Sequence, residues 1–575
     1  MSEGLQIGTP SPELVAAAGE TEGFKPRTAI ACLAFIIAGI AASLVLNPKV
    51  SLPGIVPLGA SPEVMAAKAQ NLIGEFGYTA PPVDSAYRYK YDRDYLRHIE
   101  DHDKSRGRWE QLKSGNPSAI EFWYRTSPRY LEPGFFLGAG TSNGAVDSDD
   151  PPRDATGMTF TVLDPSGRLE YFEAVPPQKD EAKATASTPD WEALFKAAGL
   201  DMAKFKTCEP EWIPPQWSDA RSAWTGVAPG RTDVALRVEA AAYRGRPVYF
   251  QLIWPWTRAT RMQAFQATAQ TKIINRVILA IFLAVLIGAV LLARRNLRLG
   301  RGDRRGAFRL AIFVFLLFVA AWVLTAHHLP TADEFGLFVM GSSFALFVAG
   351  VAWLLYIGLE PYVRRRWPNS IISWSRVLAG QWRDPLVGRD LLAGVTLGVV
   401  LHVWFQLGDR AEGWFGKLPP QPDTSTLLSL LGVRASTGWV LSEIAVWLGF
   451  GLMIFFLFFL LRLLLRRDWL AGTVFVLIFV LAEALPGKYP IVDSVLVAVA
   501  YGSLILILKR FGFLPLVAFG VSEAVLGSLI QTTHLGAWYA GSTIVGIVFV
   551  LALAIYGFKT SLGGQPLFSG SALDN

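Results

Sequence analysis

The feature that most constrains this chain is a ladder of apolar runs, most of them long enough to cross a bilayer, with arginine collecting at every second break. A spanning helix needs about 20 mostly apolar residues. Such runs occupy 28–46, 273–293, 310–325, 337–359, 391–407, 439–461, 469–485, 491–508, 513–530 and 538–558. Of the residues, 52% are hydrophobic and only 17% are charged, against about a quarter charged in soluble domains. Residues 47–272 lack such runs and read as ordinary soluble protein.

The breaks carry the orientation. Arg294, Arg295, Arg298, Arg301, Arg304, Arg305 and Arg309 follow the second run, and Arg364, Arg365, Arg366, Arg376, Arg383 and Arg389 follow the fourth. Arg462, Arg466 and Arg467 follow the sixth, and Lys509 and Arg510 the eighth. The alternate loops are poor in basic residues: 327–334 has neither Lys nor Arg. Since cytoplasmic loops concentrate Lys and Arg, these breaks are expected inside, with both termini, and 47–272 outside. The same pattern explains the net charge of +6 as a topology signal, so no nucleic-acid partner is expected.

The expected fold is therefore an α-helical polytopic membrane bundle of about ten spans with an inserted extracytoplasmic α+β domain. Its parts are a cytoplasmic tail (1–27), a first span (28–46), the outer domain (47–272), a bundle of about nine spans (273–558) and a second cytoplasmic tail (559–575). The first run follows a long polar leader, with Ala-Ala-Ser well inside it, and reads as an uncleaved anchor.

Within the outer block, Ser61-Pro62-Glu63 starts a helix whose stripe is Met65, Ala69, Leu72, Ile73 and Phe76, ended by Gly77. A strand is expected at 119–124. Further strands at 159–163 and 169–175 flank the turn Asp164-Pro165-Ser166-Gly167. A second helix near 191–198 precedes a second hairpin, 234–243 with 247–253. Helix then hairpin thus occurs twice, as in two similar lobes joined by a linker at 175–187.

Candidate chemistry is sparse. The two cysteines, Cys32 and Cys208, lie in different regions and no Cys/His cluster has zinc spacing; no metal and no cofactor is expected. Carboxylates inside spans are costly and often functional, which singles out Glu483 and Glu523 as an intramembrane polar site; Glu443 and Asp493 fall near span ends. The bland reading is protonation or pairing with a neighbouring helix. His327 and His328 read as an interfacial pair, and the mixed-charge run 92–103 as a solvated helix face. An amphipathic helix over 369–380 is expected on the inner leaflet. Arg294, Arg295, Arg304, Arg305, Arg364, Arg365 and Arg366 form basic loops facing anionic lipid.

Four strings add a resemblance. NLRLGRGDRRGAFR (296–309), LEPYVRRRWPNSIISWSRVLAGQWRDPLVGRD (359–390), RVEAAAYRGRPVYF (237–250) and GFKTSLGGQPLF (557–568) are similar to segments of bacterial, acidobacterial-type membrane-bound serine/threonine protein kinases. The resemblance runs from about the first span to the C-terminus and implies a bacterial cytoplasmic (inner) membrane. Those kinases carry a catalytic domain before the first span, where this sequence has 27 residues. No Gly-rich nucleotide loop, H-R-D or D-F-G motif occurs here, so no kinase residue can be carried over. The expected function is a non-catalytic membrane sensor or regulatory protein. Its expected partners are the lipid bilayer, a small ligand of the outer domain and a cytoplasmic protein kinase or other membrane protein. The rival readings are a small-solute transporter using the intramembrane carboxylates and a scaffold for a separately encoded kinase.

Overall fold

The computed structural model describes residues 23–134, 144–179, 188–259, 261, 269–414, 418–484 and 490–565. The expected linker's 180–187 and tail residues 1–22 and 566–575 lie outside them.

The chain enters through helix α1 (Pro26–Leu46), then the short α2 (Leu52–Ile55), and builds a sheet domain. Its helices are α3 (Pro62–Glu75), α4 (Arg93–His102) and α5 (Trp191–Ala197). Its strands are β1 (Asp84–Tyr91), β2 (Ile120–Ser127), β3 (Thr159–Leu163), β4 (Leu169–Ala174), β5 (Lys206–Cys208), β6 (Ala220–Ala228), β7 (Arg231–Tyr243) and β8 (Arg246–Ile253). They form one eight-stranded sheet, ordered β1-β2-β3-β4-β8-β7-β6-β5, with every neighbouring pair antiparallel. Each half is a meander, and the halves join where Phe172 of β4 pairs with Phe250 of β8. The two helix-then-hairpin units therefore share one sheet and one core.

Side chains alternate across a strand. Ile120, Phe122 and Tyr124 of β2 meet Phe172, Phe250 and Val238 in the core that receives Met65, Leu96 and Phe195 from the three helices. Trp123, Phe160 and Val162 face the other way, where Leu131, Val146 and Met158 cover them. Trp123 and Trp224 are thus packing residues. The helix starts differ: Asp92 and Asp190 cap α4 and α5 through the N–H of Tyr95 (2.9 Å) and Ala193 (3.1 Å), while Ser61 makes no side-chain cap to α3.

After the sheet come α6 (Ala269–Arg298), α7 (Arg304–Thr325), α8 (Asp333–Arg366), the short α9 (Ile372–Leu378), α10 (Pro385–Trp414), α11 (Val433–Leu465), α12 (Asp468–Phe479), α13 (Pro490–Arg510), α14 (Phe513–Ser528) and α15 (Ala540–Ser561). Eight helices are long and apolar enough to cross a membrane: α1, α6, α7, α8, α10, α11, α13 and α15. The remaining two expected spans are built differently. α12 passes into a π-helical turn, Val480–Ala484, and α14 has only 16 residues. Every residue of α14 from Phe513 to Ser522 is buried, as befits a helix that is apolar all round. Its continuation through Leu529, Ile530, Gln531 and Thr532 is buried but not helical.

α14 sits close against α10 because Gly394 and Gly398 face it; a methyl group at either would overlap main-chain oxygen of Pro515 or Phe519. Small residues four apart allow such close helix approach in membranes. α1 packs on α10 and α15, whereas α6 packs on α8. The two helices flanking the sheet domain are therefore not a pair, contrary to the simplest picture of a chain that leaves and re-enters together.

The arginine-rich turns lie at one end of the bundle. Pro361 inside α8 has no N–H for the Ile357 carbonyl, and Asn296 of α6 donates to that oxygen (2.9 Å) and to Gly358 O (3.3 Å). Asp303 N–H donates to Glu360 (3.3 Å), which also pairs with Arg364. The expected amphipathic helix is only α9, and its apolar face points into the bundle. Ile371, Trp374 and Val377 join the helix core, with Trp374 edge-on to Phe513 at 5.0 Å. The segments 296–309 and 359–390 thus interlock in space.

Candidate functional site

At the opposite end, the bundle grows into the sheet domain. Leu52 N–H donates to Asp423 O (2.7 Å), and Trp109 Nε1 reaches Pro419 O (3.2 Å) beside an Arg108 bond to the same oxygen. Leu427, Leu430 and Ile530, all from segments between bundle helices, are buried in the sheet domain's own core. Trp538 stacks on Tyr89 and donates to Leu58 O (3.3 Å). His327 Nε2 meets Asp84 at 2.7 Å, and the His327 main-chain N–H donates to Gly144 O (2.8 Å). Burial works against the Asp84 carboxylate, but His327 and the N–H groups of Leu131 and Ser85 outweigh it and hold its pKa below the usual carboxylate value. His328 bonds Glu334 (2.7 Å).

Beside this junction lies a cleft of about 700 Å³. Its sheet-domain wall is Ser85 to Arg88 of β1 with Ala145 and Val146; its bundle wall comes from the sheet-facing halves of α7, α8 and α11, the turn before α11 and the end of α14.

The intramembrane carboxylates occupy a second region, where α10 to α14 converge. Glu483, in the π-helical turn, accepts a 2.6 Å bond from the Tyr501 hydroxyl, and that ring stacks on Phe479 at 3.9 Å. Glu523 lies on the enclosed α14, with Glu443 of α11 as its charged neighbour. Neither Glu443 nor Glu523 has a Lys or Arg partner among the described residues. Glu483 and Glu523 are not bonded to each other; Tyr501 feels the charge of both. Toward the sheet end, Ser43 Oγ (2.8 Å), Gln406 Nε2 (3.1 Å) and Gln531 Nε2 (3.2 Å) converge on His402 Nε2, and Ser43 also donates to Gln531 Oε1 (2.5 Å). This arrangement can hold a proton or a small cation, because desolvated carboxylates without a fixed counter-charge favour a bound positive partner.

The sequence reading took Glu483 and Glu523 as the site and set Glu443 near a span end, and it passed over Tyr501, Ser43, Gln406 and Gln531. Glu443 read as a span-end residue because the apolar run begins at 439; the helix begins at Val433, so Glu443 lies further inside. His402 and Gln406, one helical turn apart, were a legible signal. Of the basic residues, Arg294, Arg295, Arg304, Arg305, Arg365 and Arg366 are exposed, while Arg364 turns onto the buried Glu360. Among the described residues no group of three His, Cys, Asp or Glu is arranged to hold a metal ion.

No family model, curated protein or solved structure matches the chain.

Proposed function

We propose that the chain is a non-catalytic sensor or regulatory protein of a bacterial cytoplasmic membrane, coupling an outer sheet domain to a bundle of about ten spans. The observation that carries this reading is the shared core: Leu427, Leu430 and Ile530 of the bundle segments sit among Phe122, Phe172 and Phe250. A sheet domain that was merely tethered would close its core without them. The orientation follows from the Arg-rich turns gathered at the end away from the sheet. The kinase-like strings support a signalling role, with the basic end as the face toward a separately encoded kinase or other partner, which pull-down from membranes tests.

The route of coupling is α7. It begins at Arg304 in the basic turn and ends beside His327, which contacts Asp84. A rigid helix anchored at both ends transmits a shift at one to the other. Hydrogen exchange on the full chain tests this: Asp84→Asn should raise exchange at the basic turns around Gly302 and Gly380 as well as at the junction. Lys113→Ala, on the sheet domain's surface, should leave both unchanged. Changes confined to the junction would sink the coupling.

A second reading, small-solute transport, is favoured by one observation: Glu523 has Glu443 as its charged neighbour among the spans, and neither has a basic partner among the described residues. Proteoliposome flux that survives Glu443→Gln together with Glu523→Gln would remove it.

A further inference from the structure

We infer that the junction cleft binds the headgroup and upper acyl chain of an anionic membrane lipid. This deepens the coupling reading, because a molecule there touches both bodies, and it is tested separately from it.

The cleft's lining divides by chemistry. Phe318, Trp322, Phe344, Leu428 and Trp439 make an apolar wall on the bundle side. Arg88 and Arg434 supply guanidinium groups, and neither Asp nor Glu is among the lining residues. Arg88 has Asp147 as its charged neighbour, and Asp147 lies outside the lining. Arg434 is exposed in the first turn of α11, with no ion pair among the described residues. Its one described electrostatic neighbour is Tyr87 across the cleft. His327, the third basic group, is already committed to Asp84.

Position selects the occupant. Phe318, Trp322, Phe344 and Trp439 come from the sheet-facing halves of spanning helices, with Leu428 in the turn before α11, and Arg88 and Arg434 lie where those helices meet the sheet domain. That is the depth at which a bilayer changes from acyl chain to headgroup. A soluble anion would match Arg434 and leave the aromatic wall unused, and an apolar molecule would leave Arg434 unmatched. A lipid with a net negative headgroup uses both, with the guanidinium donating charge-assisted hydrogen bonds to the phosphate.

The test is native mass spectrometry of the full chain in neutral detergent, titrated with phosphatidylglycerol or phosphatidylcholine of identical acyl chains, or with inorganic phosphate alone. The expected result is one retained phosphatidylglycerol per chain, held at least tenfold more tightly than phosphatidylcholine, with inorganic phosphate failing to displace it. Arg434→Ala should reduce phosphatidylglycerol to the phosphatidylcholine level. Ala435→Phe, which fills the cleft without changing charge, should abolish retention even if Arg434→Ala proves unstable. Arg305→Ala at the basic end should leave retention unchanged. Equal retention of the two lipids, or retention unaffected by Ala435→Phe, would mean annular lipid only and overturn the inference. Displacement by inorganic phosphate would overturn it too, in favour of a simple anion site. The Asp84→Asn exchange experiment needs no added lipid, so coupling and lipid binding fail independently.

Discussion

The two ends of the helical bundle solve the same problem in opposite ways. At the basic end, polar groups are closed by residues of the bundle itself: Asn296 takes the carbonyl that Pro361 releases, Asp303 caps α7, and Glu360 holds Arg364. At the sheet end, the closure is largely apolar and shared between bodies, with Leu430 buried among sheet-domain side chains. The basic end is therefore self-contained, while the sheet end leaves a cleft and exposes Arg434. A ligand or signal has room to act where two bodies meet, and little where one body is knotted to itself.

The comparison can be broken most severely at Leu430. Truncation to Ala empties a fully buried site, at a cost of about 2–5 kcal/mol. If the core is truly shared, Leu430→Ala lowers the unfolding midpoint of sheet and helices together, as read by tryptophan fluorescence and circular dichroism. Two separated transitions would show that the bodies are independent.

At the other end, Asn296→Ala strands the Ile357 carbonyl, which Pro361 leaves without a helical donor, and should cost roughly 1–3 kcal/mol. Because that knot is local, the loss should appear in hydrogen exchange of α6 and α8 without reaching the sheet domain. A matching rise in β1 would erase the contrast between the ends.

Asp92 sharpens it through pH. Burial, then the Glu121 charge, push its carboxyl up to about 6, above an unfolded value of about 3.9. The folded form then holds its proton more tightly, so this group's contribution to stability rises as pH falls from about 6 towards 4. Asp92→Asn keeps a capping oxygen and removes the titration. It should stabilise the protein at pH 7 by on the order of 1–2 kcal/mol and flatten the pH 4–6 slope of thermal unfolding. An unchanged slope would assign that pH dependence to other groups.

The smallest effect separates two helix starts within the sheet domain. Asp190→Ala removes a cap that is formed and should cost about 1 kcal/mol, whereas Ser61→Ala removes none and should cost well under that. Equal losses in thermal melts would contradict the capping difference.

Much of this architecture was legible in local pattern. The apolar runs correspond to the long helices because crossing a membrane demands length and hydrophobicity, both readable residue by residue. The 159–163 strand was legible because its turn has a fixed chemistry. β1 was missed although Tyr87, Tyr89 and Tyr91 alternate at period two, since its outward residues are charged and its pairing partner, β2, is distant in sequence. The Gly394 and Gly398 spacing could have been read as a close helix contact, but nothing local says that α14 is the helix they meet.

The candidate sites divide the same way. Glu483 and Glu523 stand out because a carboxylate in an apolar run is conspicuous. Their surroundings, Tyr501 against one and Glu443 against the other, depend on how helices rotate and pack. The cleft is less visible still: Arg88, Phe318 and Arg434 have no shared sequence pattern. The sequence by itself determined which segments prefer lipid and which carry charge, because transfer free energy is a property of each segment. Only the tertiary structure decided that α14 is enclosed, that Leu430 belongs to the sheet domain's core and that Arg434 faces a cleft. Those outcomes depend on close contact between side chains hundreds of residues apart, and on space that one body alone does not enclose.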